Sequence, residues 1–266
     1  MISKIKSAQP NQSLIDGIAT LQALAISEVP IGGRELARQL GFEHTRVNRI
    51  LKTLAYLGIA RQTANRKYAP GPGMHVLAAQ SLFASGLIRR ALPALESLRH
   101  FNYVVAFGVL WRDNVSYLYH APPGLPSAEA LGRIGLYPAT KGGIGLALLA
   151  ALEDDEIQET YKDRDIPNFP AGINALLSTL ATIREQGFAR VLVKPDLDQH
   201  TIAVTVGRPA HSAVAMSGWI PQARLKVVLS ALRSAASTIE GSAVPTTSES
   251  LDTDPLTEVL NARAGA

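Results

Sequence analysis

The sequence contains no cysteine among its 266 residues. Disulfide bonds, cysteine-ligated zinc, iron–sulfur clusters and a thiolate nucleophile are therefore excluded. Long apolar runs are also missing, because the best uncharged stretch, residues 144–152, falls well short of the roughly 20 residues that cross a bilayer. The polar N-terminus lacks the apolar core of a secretory signal. We therefore expect a cytoplasmic protein with no membrane partner.

The charge is small in total but unevenly distributed. The 26 Lys and Arg residues against 22 Asp and Glu residues give a net charge of +4. Residues 1–80 hold ten basic and four acidic side chains, a net of +6, whereas the remainder holds sixteen basic and eighteen acidic ones, a net of −2. Such asymmetry is typical of a polyanion-binding module joined to another domain, although a solvated basic surface gives the same count.

Three helices are predicted within residues 10–72. The first begins with Ser13 as the N-cap, and Asp16 stands where a capping box would have Glu or Gln. The apolar stripe of this helix comprises Leu14, Ile18, Leu21 and Leu24. The second, residues 34–40, ends at Gly41, a typical left-handed C-cap. The third is capped by Thr45, and its inward stripe comprises Val47, Ile50, Leu51, Leu54 and Leu57. Two short helices joined by a tight glycine-containing turn are typical of a helix-turn-helix.

The outward face of the third helix carries side chains that suit double-stranded DNA. Arginine pairs with guanine edges and asparagine with adenine edges, while lysine and threonine suit phosphates. Two extended pieces around a turn at Ala64-Asn65 predict a basic hairpin, or wing. The alternative is a small helical subdomain with a basic surface. The predicted DNA-binding residues are His44, Thr45, Arg46, Asn48, Arg49, Lys52, Arg61, Arg66 and Lys67.

Residues 73–90 are predicted to form a linker helix, followed by a further helix that Pro93 opens. The apolar face of the linker has no neighbour in the sequence, so we expect it to pair with the same helix of a second subunit in a homodimer. Residues 91–241 mix strands, hairpins and helices, which predicts an α+β sensor domain with an antiparallel sheet. Its elements include a helix over 176–186 that ends at Gly187 and a strand over 212–219. The Ser-, Thr- and Pro-rich residues 242–266 predict a disordered tail.

No catalytic residue, metal site or cofactor is predicted. The six histidines have no metal-ligand spacing, and no nucleophile elbow, Walker loop or dinucleotide-binding glycine motif is present. The segment Gly142-Gly143-Ile144-Gly145 is either a turn that close packing requires or, with Thr140 and Lys141, a corner whose N–H groups bind a small carboxylate. The alternative function is a small-molecule-binding or metabolic enzyme with a helical N-terminal oligomerisation module.

Over residues 12–240 the chain resembles the IclR-type bacterial transcription regulators. The resemblance lies in the helix-turn-helix segment 34–58, in the loop and helix of residues 138–150, and in two shorter segments, 184–189 and 202–204. It implies a winged helix-turn-helix at residues 10–72, a linker helix that drives dimerisation and a GAF-like α/β effector-binding domain at 91–241, often in dimers of dimers, that is, tetramers. The implied function is a ligand-responsive regulator that binds a pseudo-palindromic operator as a dimer.

The resemblance also implies an effector site. Carried over position by position, the pocket is lined by Gly143 and Ile144 on the helix-opening loop, by Thr201 and by Ser217, and the predicted site also includes Thr140, Lys141 and Gly142. The chain departs from the family pattern at Leu146, Val193-Lys194, Thr201 and Thr205, where Lys, an acidic pair, Cys and Pro are usual. These departures concern the ligand rather than the fold. Lys141 beside the glycines favours a small organic acid as the effector.

Overall fold

The computed structural model describes residues 10–132 and 135–241, so the disordered tail predicted at 242–266 lies outside the described residues. The first part of the chain forms three helices and a two-stranded antiparallel sheet. These elements are α1 (Gln12–Ala25), α2 (Gly33–Leu40), α3 (His44–Tyr56), β1 (Ala60–Gln62) and β2 (Tyr68–Pro70). They enclose a small core that includes Leu24, Leu36, Val47, Leu51 and Tyr68. An isolated bridge from Ile31 to Tyr68 ties the α1–α2 connection to the hairpin.

The helix ends in this unit differ partly from the predicted ones. The prediction that Ser13 caps α1 was wrong, because the Asn11 side chain accepts a hydrogen bond from the Leu14 N–H at 3.1 Å and the helix starts at Gln12. Thr45 does not cap α3 either, since it lies inside the first turn and Glu43 precedes the helix without a side-chain cap. The end of α2 is confirmed, with Gly41 in the left-handed conformation at φ 66°.

The apolar stripe predicted for α1 was wrong at Leu14 and Ile18 and is confirmed at Leu24. Leu14 is 64% exposed and Ile18 38% exposed, whereas Asp16, Thr20 and Leu24 are buried. Four-residue steps connect the three buried positions, so the helix is rotated away from the orientation that its hydrophobic pattern favours. The structure therefore places the Asp16 carboxylate, and not Leu14 and Ile18, on the buried side of the helix beside Leu24. Leu57, expected in the inward stripe of α3, is exposed as well.

The tight turn of the hairpin is formed by a different residue from the predicted one. Arg66, not Asn65, has a positive φ of 59°. The Thr63 N–H donates to the Lys67 carbonyl at 2.8 Å and the Arg66 N–H donates to the Thr63 carbonyl at 2.9 Å. Asn65 stabilises the turn through its side chain, which accepts from the Thr63 hydroxyl.

The predicted linker helix is interrupted. Helix α4 (Pro72–Ser85) ends at Gly86, which has a left-handed φ of 57°, and α5 (Leu87–Leu98) starts directly after it. The two helices were predicted to meet near residues 90–92 with Pro93 at a helix start, but Pro93 lies inside α5. Helix α5 packs on the remainder of the chain through Ala91, Leu95 and Leu98, whereas α4 has no buried residue.

The remainder of the described chain is built on one antiparallel sheet, which confirms the mixed helix and antiparallel sheet expected for it. The strand order is β5-β4-β3-β8-β7-β6. The strands are β3 (Val104–Trp111), β4 (Asn114–Ala121), β5 (Tyr137–Pro138), β6 (Ala189–Lys194), β7 (Gln199–Val206) and β8 (Ser212–Trp219), and the further helices are α6 (Gly143–Leu149), α7 (Asp154–Thr160), α8 (Ile173–Gln186) and α9 (Leu225–Gly241).

The two faces of this sheet carry side chains of different size. Large residues, among them Phe107, Ile202 and Met216, pack under α5 and α9. The opposite face presents small residues at the alternate positions, namely Ala106, Ala203, Ala213 and Ala215. Because these alanines allow a close approach, α6 lies against the middle of the sheet and every one of its residues is buried.

Candidate DNA-binding surface and candidate effector site

Helix α3 is divided into a buried face and a basic face. Val47 and Leu51 are fully buried, and at 100° per residue Arg49 lies nearly opposite them. Of the residues predicted to contact DNA, Asn48 is half-buried and the other eight are exposed. All nine lie on α3 or on the β1–β2 hairpin.

Most of the cations on this surface have no ionic partner in the part of the chain that the structure describes. Within residues 10–132 and 135–241, no carboxylate lies within 4.0 Å of the charged nitrogens of Arg49, Lys52, Arg61, Arg66 or Lys67. Their charges are therefore available to a polyanion without first breaking an ion pair. Arg38 on α2, by contrast, is paired with Glu35, and the resulting bond holds the pKa of Glu35 below its ordinary value.

Arg46 is the exception on α3. Its Nη1 lies 2.7 Å from Oδ2 of Asp16 on α1, and the arginine side chain is 53% exposed while that of the aspartate is 1% exposed. The other carboxylate oxygen of Asp16 accepts a hydrogen bond from Nε2 of Gln12 at 2.8 Å. The sequence pattern places Asp16 in a capping box and gives no sign of this contact. The contact becomes recognisable only when the orientation of α1 is known, because only then does Asp16 lie on the buried side of the helix.

The predicted effector residues lie where α6 meets the sheet. Thr201 and Ser217 face each other across β7 and β8, and the Thr201 hydroxyl donates to Oγ of Ser217 at 2.9 Å. Gly143 lies against Thr201 of this pair, since a Cβ atom at Gly143 would be 2.7 Å from Cγ2 of Thr201. Thr140 is buried, and its hydroxyl has no hydrogen-bond partner among the described residues. The structure therefore brings Gly143, Thr201 and Ser217 together.

Two of the predicted effector residues are placed differently. The Ile144 side chain is 1% exposed and belongs to the core under α6, where its Cγ2 approaches the backbone at Gly108. It packs the helix onto the sheet and does not line an open surface. Lys141 is exposed at the end of the short 3-10 turn Ala139–Lys141.

Aromatic residues that the sequence analysis did not single out surround the same loop. A Cβ at Gly142 would lie 3.3 Å from the Tyr117 hydroxyl and 3.4 Å from Cε1 of Tyr137. The Tyr117 ring contacts His120 edge-on at 5.9 Å and Tyr137 at 6.2 Å between ring centroids. Burial raises the pKa of Tyr117 to about 12, so its phenol stays protonated and able to donate a hydrogen bond near neutral pH.

A β-bulge explains why Tyr117 was missed. Phe107 pairs with Tyr119 but Gly108 pairs with Tyr117, so Leu118 is the extra residue in β4. The bulge reverses the alternation of the strand, and Tyr119 points into the core under α5 and α9 while Tyr117 points toward α6. A regular strand would place both tyrosines on one face.

The glycines of the loop are explained by close packing. A Cβ at Gly145 would lie 2.0 Å from the Ala139 carbonyl oxygen, and that at Gly143 would collide with Thr201. Close packing thus requires glycine at positions 143 and 145, and binding of a small carboxylate by this loop stays a prediction.

A search of the described ranges finds no group of three or more His, Asp or Glu residues that could hold a metal ion. In the same ranges, no helix has the length and apolarity needed to cross a membrane.

Comparison of the whole chain with known proteins identifies its fold. No protein-family model matches the chain, and no curated protein sequence matches it. Among solved structures, an IclR family transcriptional regulator from Brucella abortus has a TM-score of 0.71 at 21% identity, covering 90% of this chain and 95% of that one. A putative IclR transcriptional regulator from Silicibacter sp. TM1040 has a TM-score of 0.71 at 19% identity, covering 88% and 98%.

A third similar structure contains a ligand. It is an IclR homolog from Microbacterium hydrocarbonoxydans complexed with 4-hydroxybenzoate, with a TM-score of 0.64 at 18% identity, covering 86% of this chain and 98% of that one. Together these similarities show that the chain has the fold of IclR-type transcriptional regulators.

Proposed function

We propose that the chain is a ligand-responsive, DNA-binding transcription regulator of the IclR family. Residues 10–72 act as a winged helix-turn-helix, with α3 as the recognition helix and the β1–β2 hairpin as the wing. The observation that carries the proposal is the set of five cations on α3 and the hairpin that have no carboxylate partner among the described residues, on a chain with the fold of known regulators. The residues past α4 act as the effector-binding domain.

The contacts divide by side-chain chemistry. Arg49, opposite the buried face of α3, and Asn48 beside it contact base edges in the major groove together with Arg46. Lys52 and the hairpin residues Arg61, Arg66 and Lys67 contact phosphates. His44 and Thr45 lie in the first turn of α3, which faces the groove in helix-turn-helix complexes.

The proposed regulator binds DNA as a homodimer joined through α4. This helix has no buried residue, and it exposes four large apolar side chains, Val76, Leu77, Leu82 and Phe83. Contact with the same helix of a second copy would remove this apolar surface from water. A two-fold dimer in turn presents two recognition helices to a pseudo-palindromic operator.

The proposed effector is a small organic acid that carries an aromatic ring. The site combines the Thr140 hydroxyl, the Thr201–Ser217 pair, the loop Lys141-Gly142-Gly143 and the Tyr117 phenol beside Tyr137. Aromatic walls with a few polar groups and one adjacent cation suit such a molecule, and one structure of this fold holds 4-hydroxybenzoate. The ligand acts by favouring one arrangement of the DNA-binding units over another.

Selection of binding sequences tests the DNA part of the proposal. The full chain is used to select duplexes from a random-sequence library, and we expect enrichment of one sequence with two inverted half-sites. Arg49→Ala should weaken binding to the selected duplex by about 1–3 kcal/mol and relax its sequence preference. Arg89→Ala, which removes an exposed arginine of α5, is the matched control and should bind as wild type. Turnover of a metabolite without any DNA enrichment would favour the enzyme alternative instead.

A thermal-shift comparison tests the effector part. Benzoate and 4-hydroxybenzoate should raise the melting temperature of the wild type, and Lys141→Ala should reduce the rise. Lys226→Ala, which removes an exposed lysine on α9 at the other face of the sheet, should leave it unchanged. Equal shifts in wild type and Lys141→Ala would remove Lys141 from the site.

A further inference from the structure

We propose that Asp16 is a positioning residue for DNA recognition, which holds the guanidinium of Arg46 in place before DNA binds. The inference rests on the proposed function of α3 as the recognition helix. Asp16 itself does not contact DNA. It acts through Arg46, from a helix that lies behind α3.

In this ion pair the Asp16 side chain is buried, whereas the Arg46 side chain stays accessible to solvent. The Asp16 side chain is 1% exposed, whereas that of Arg46 is 53% exposed. The Oδ1 atom of Asp16 accepts a hydrogen bond from Nε2 of Gln12 at 2.8 Å, and Oδ2 forms an ion pair with Nη1 of Arg46 at 2.7 Å. The Thr20 hydroxyl in turn donates to the Asp16 backbone carbonyl at 2.7 Å within the helix. The aspartate is therefore held from its own helix, while the arginine reaches it from the surface.

Stability alone gives a weak reason for this arrangement. A buried carboxylate loses its hydration, and a well-packed apolar residue in its place is often as stable or more stable. Helix α1 has apolar residues available, but it directs Leu14 and Ile18 outward and the aspartate inward. The inward carboxylate meets the one arginine of α3 that is paired within the described residues. The arrangement therefore has a consequence for that arginine.

Holding Arg46 has two opposite effects on DNA binding. An exposed arginine loses rotamer freedom when it contacts a base, and this loss costs binding free energy. The ion pair with Asp16 restricts the Arg46 side chain before DNA binds, so less freedom is lost on binding. With Nη1 engaged, the Nε and Nη2 donors remain for a base edge. At the same time the carboxylate cancels part of the positive charge of α3, which weakens attraction to any duplex. Asp16 thus raises specific binding relative to non-specific binding.

Asp16→Asn tests the inference in the full-length chain. The probes are a duplex selected from a random library by the wild type and a shuffled duplex of the same composition. We expect the affinity for the shuffled duplex to stay equal or rise and the affinity for the selected duplex to fall. The ratio of the affinity for the selected duplex to that for the shuffled duplex should drop about two- to tenfold, the range that follows from ordering one long side chain. In an Arg46→Ala background the same substitution should leave the ratio unchanged.

Glu35→Gln is the matched control. It removes one carboxylate from the same unit, at the exposed Glu35–Arg38 pair on α2, and should leave the ratio at the wild-type value. Arg46→Lys is the second variant, because it changes an exposed side chain and so keeps the fold if Asp16→Asn does not. Lysine keeps the charge but not the planar fork, so the ratio should again fall.

Three results would overturn the inference. The ratio of Asp16→Asn could equal that of the wild type, both affinities could fall by the same factor with a lower melting temperature, or Arg46→Lys could keep the wild-type ratio. The first two would assign Asp16 a structural role only. If instead the wild type binds the selected and shuffled duplexes equally, the proposed function itself fails, which is a separate outcome.

Discussion

Replacing Gly145 by alanine should disrupt the start of α6 far more than the same change at Gly142. A Cβ at position 145 would lie 2.0 Å from the carbonyl oxygen of Ala139 and 2.4 Å from its Cα. These are backbone atoms of the 3-10 turn that carries Thr140 and Lys141, so rotation of a side chain cannot relieve the contact. A Cβ at Gly142 would approach only the side chains of Tyr117 and Tyr137, at 3.3 Å and 3.4 Å.

The magnitude follows from two opposing contributions. Inserting a methyl group into a closely packed site costs about 1–3 kcal/mol, and a collision with backbone belongs at the upper end of that range. Alanine in a helix returns up to about 1 kcal/mol relative to glycine. We therefore expect Gly145→Ala to lower the free energy of unfolding by about 2 kcal/mol. Gly142 precedes the helix, so Gly142→Ala should change the free energy of unfolding by less than about 1 kcal/mol.

Urea denaturation followed by circular dichroism measures both variants. Gly143→Ala is an informative third, because its Cβ would meet the Thr201 side chain, which can rotate only by giving up its hydrogen bond to Ser217. The expected order of stability is Gly142→Ala, then Gly143→Ala, then Gly145→Ala. A Gly145→Ala protein as stable as the wild type, or more stable than Gly142→Ala, would refute the packing explanation of this loop.

Further predictions concern acid stability, the α6–α8 contact and the dimer. Burial acts to raise the pKa of Glu96, but hydrogen bonds led by that from Tyr119 hold it below its ordinary value of 4.5. Ionised Glu96 therefore stabilises the fold above pH 4.5, and this stabilisation is lost as the pH falls through the lowered pKa. Glu96→Gln should remove this dependence and flatten the acid side of a curve of unfolding free energy against pH. Arg184 donates to the carbonyls of Ala150 and Leu152, just after α6, and its Nη2 lies 2.8 Å from Oδ1 of Asp154. Arg184→Ala should therefore lower the free energy of unfolding by about 1–3 kcal/mol in urea denaturation, and an unchanged midpoint would contradict this. Phe83→Ser should shift the mass measured by light scattering toward the monomer, and an unchanged mass would exclude Phe83 from the interface.

Local sequence signals were sufficient for much of the fold. Gly41 and Gly187 end their helices in the left-handed conformation, as expected from glycine after an apolar stripe. Strand β8 has its predicted bounds, Ser212–Trp219, because its run of small and apolar residues is bounded by turns. These features depend on neighbours in the chain, and a pattern over a few residues is enough to identify them.

Features that depend on distant contacts could not be predicted in this way. Asp16 faces inward because Arg46 of another helix is there to pair with it. Likewise the bulge at Leu118 depends on the register of β4 against β3, which also decides that Tyr117 lies beside the effector loop.

The most direct test of the central claim is the affinity of the wild-type chain for a selected and a shuffled duplex, measured across a range of salt concentrations. Salt should weaken both complexes, because the cations of α3 and the hairpin release counterions from the phosphates. We expect the affinity for the selected duplex to stay at least about a thousandfold higher than that for the shuffled duplex at physiological salt. Equal affinity for the two duplexes at every salt concentration would contradict it.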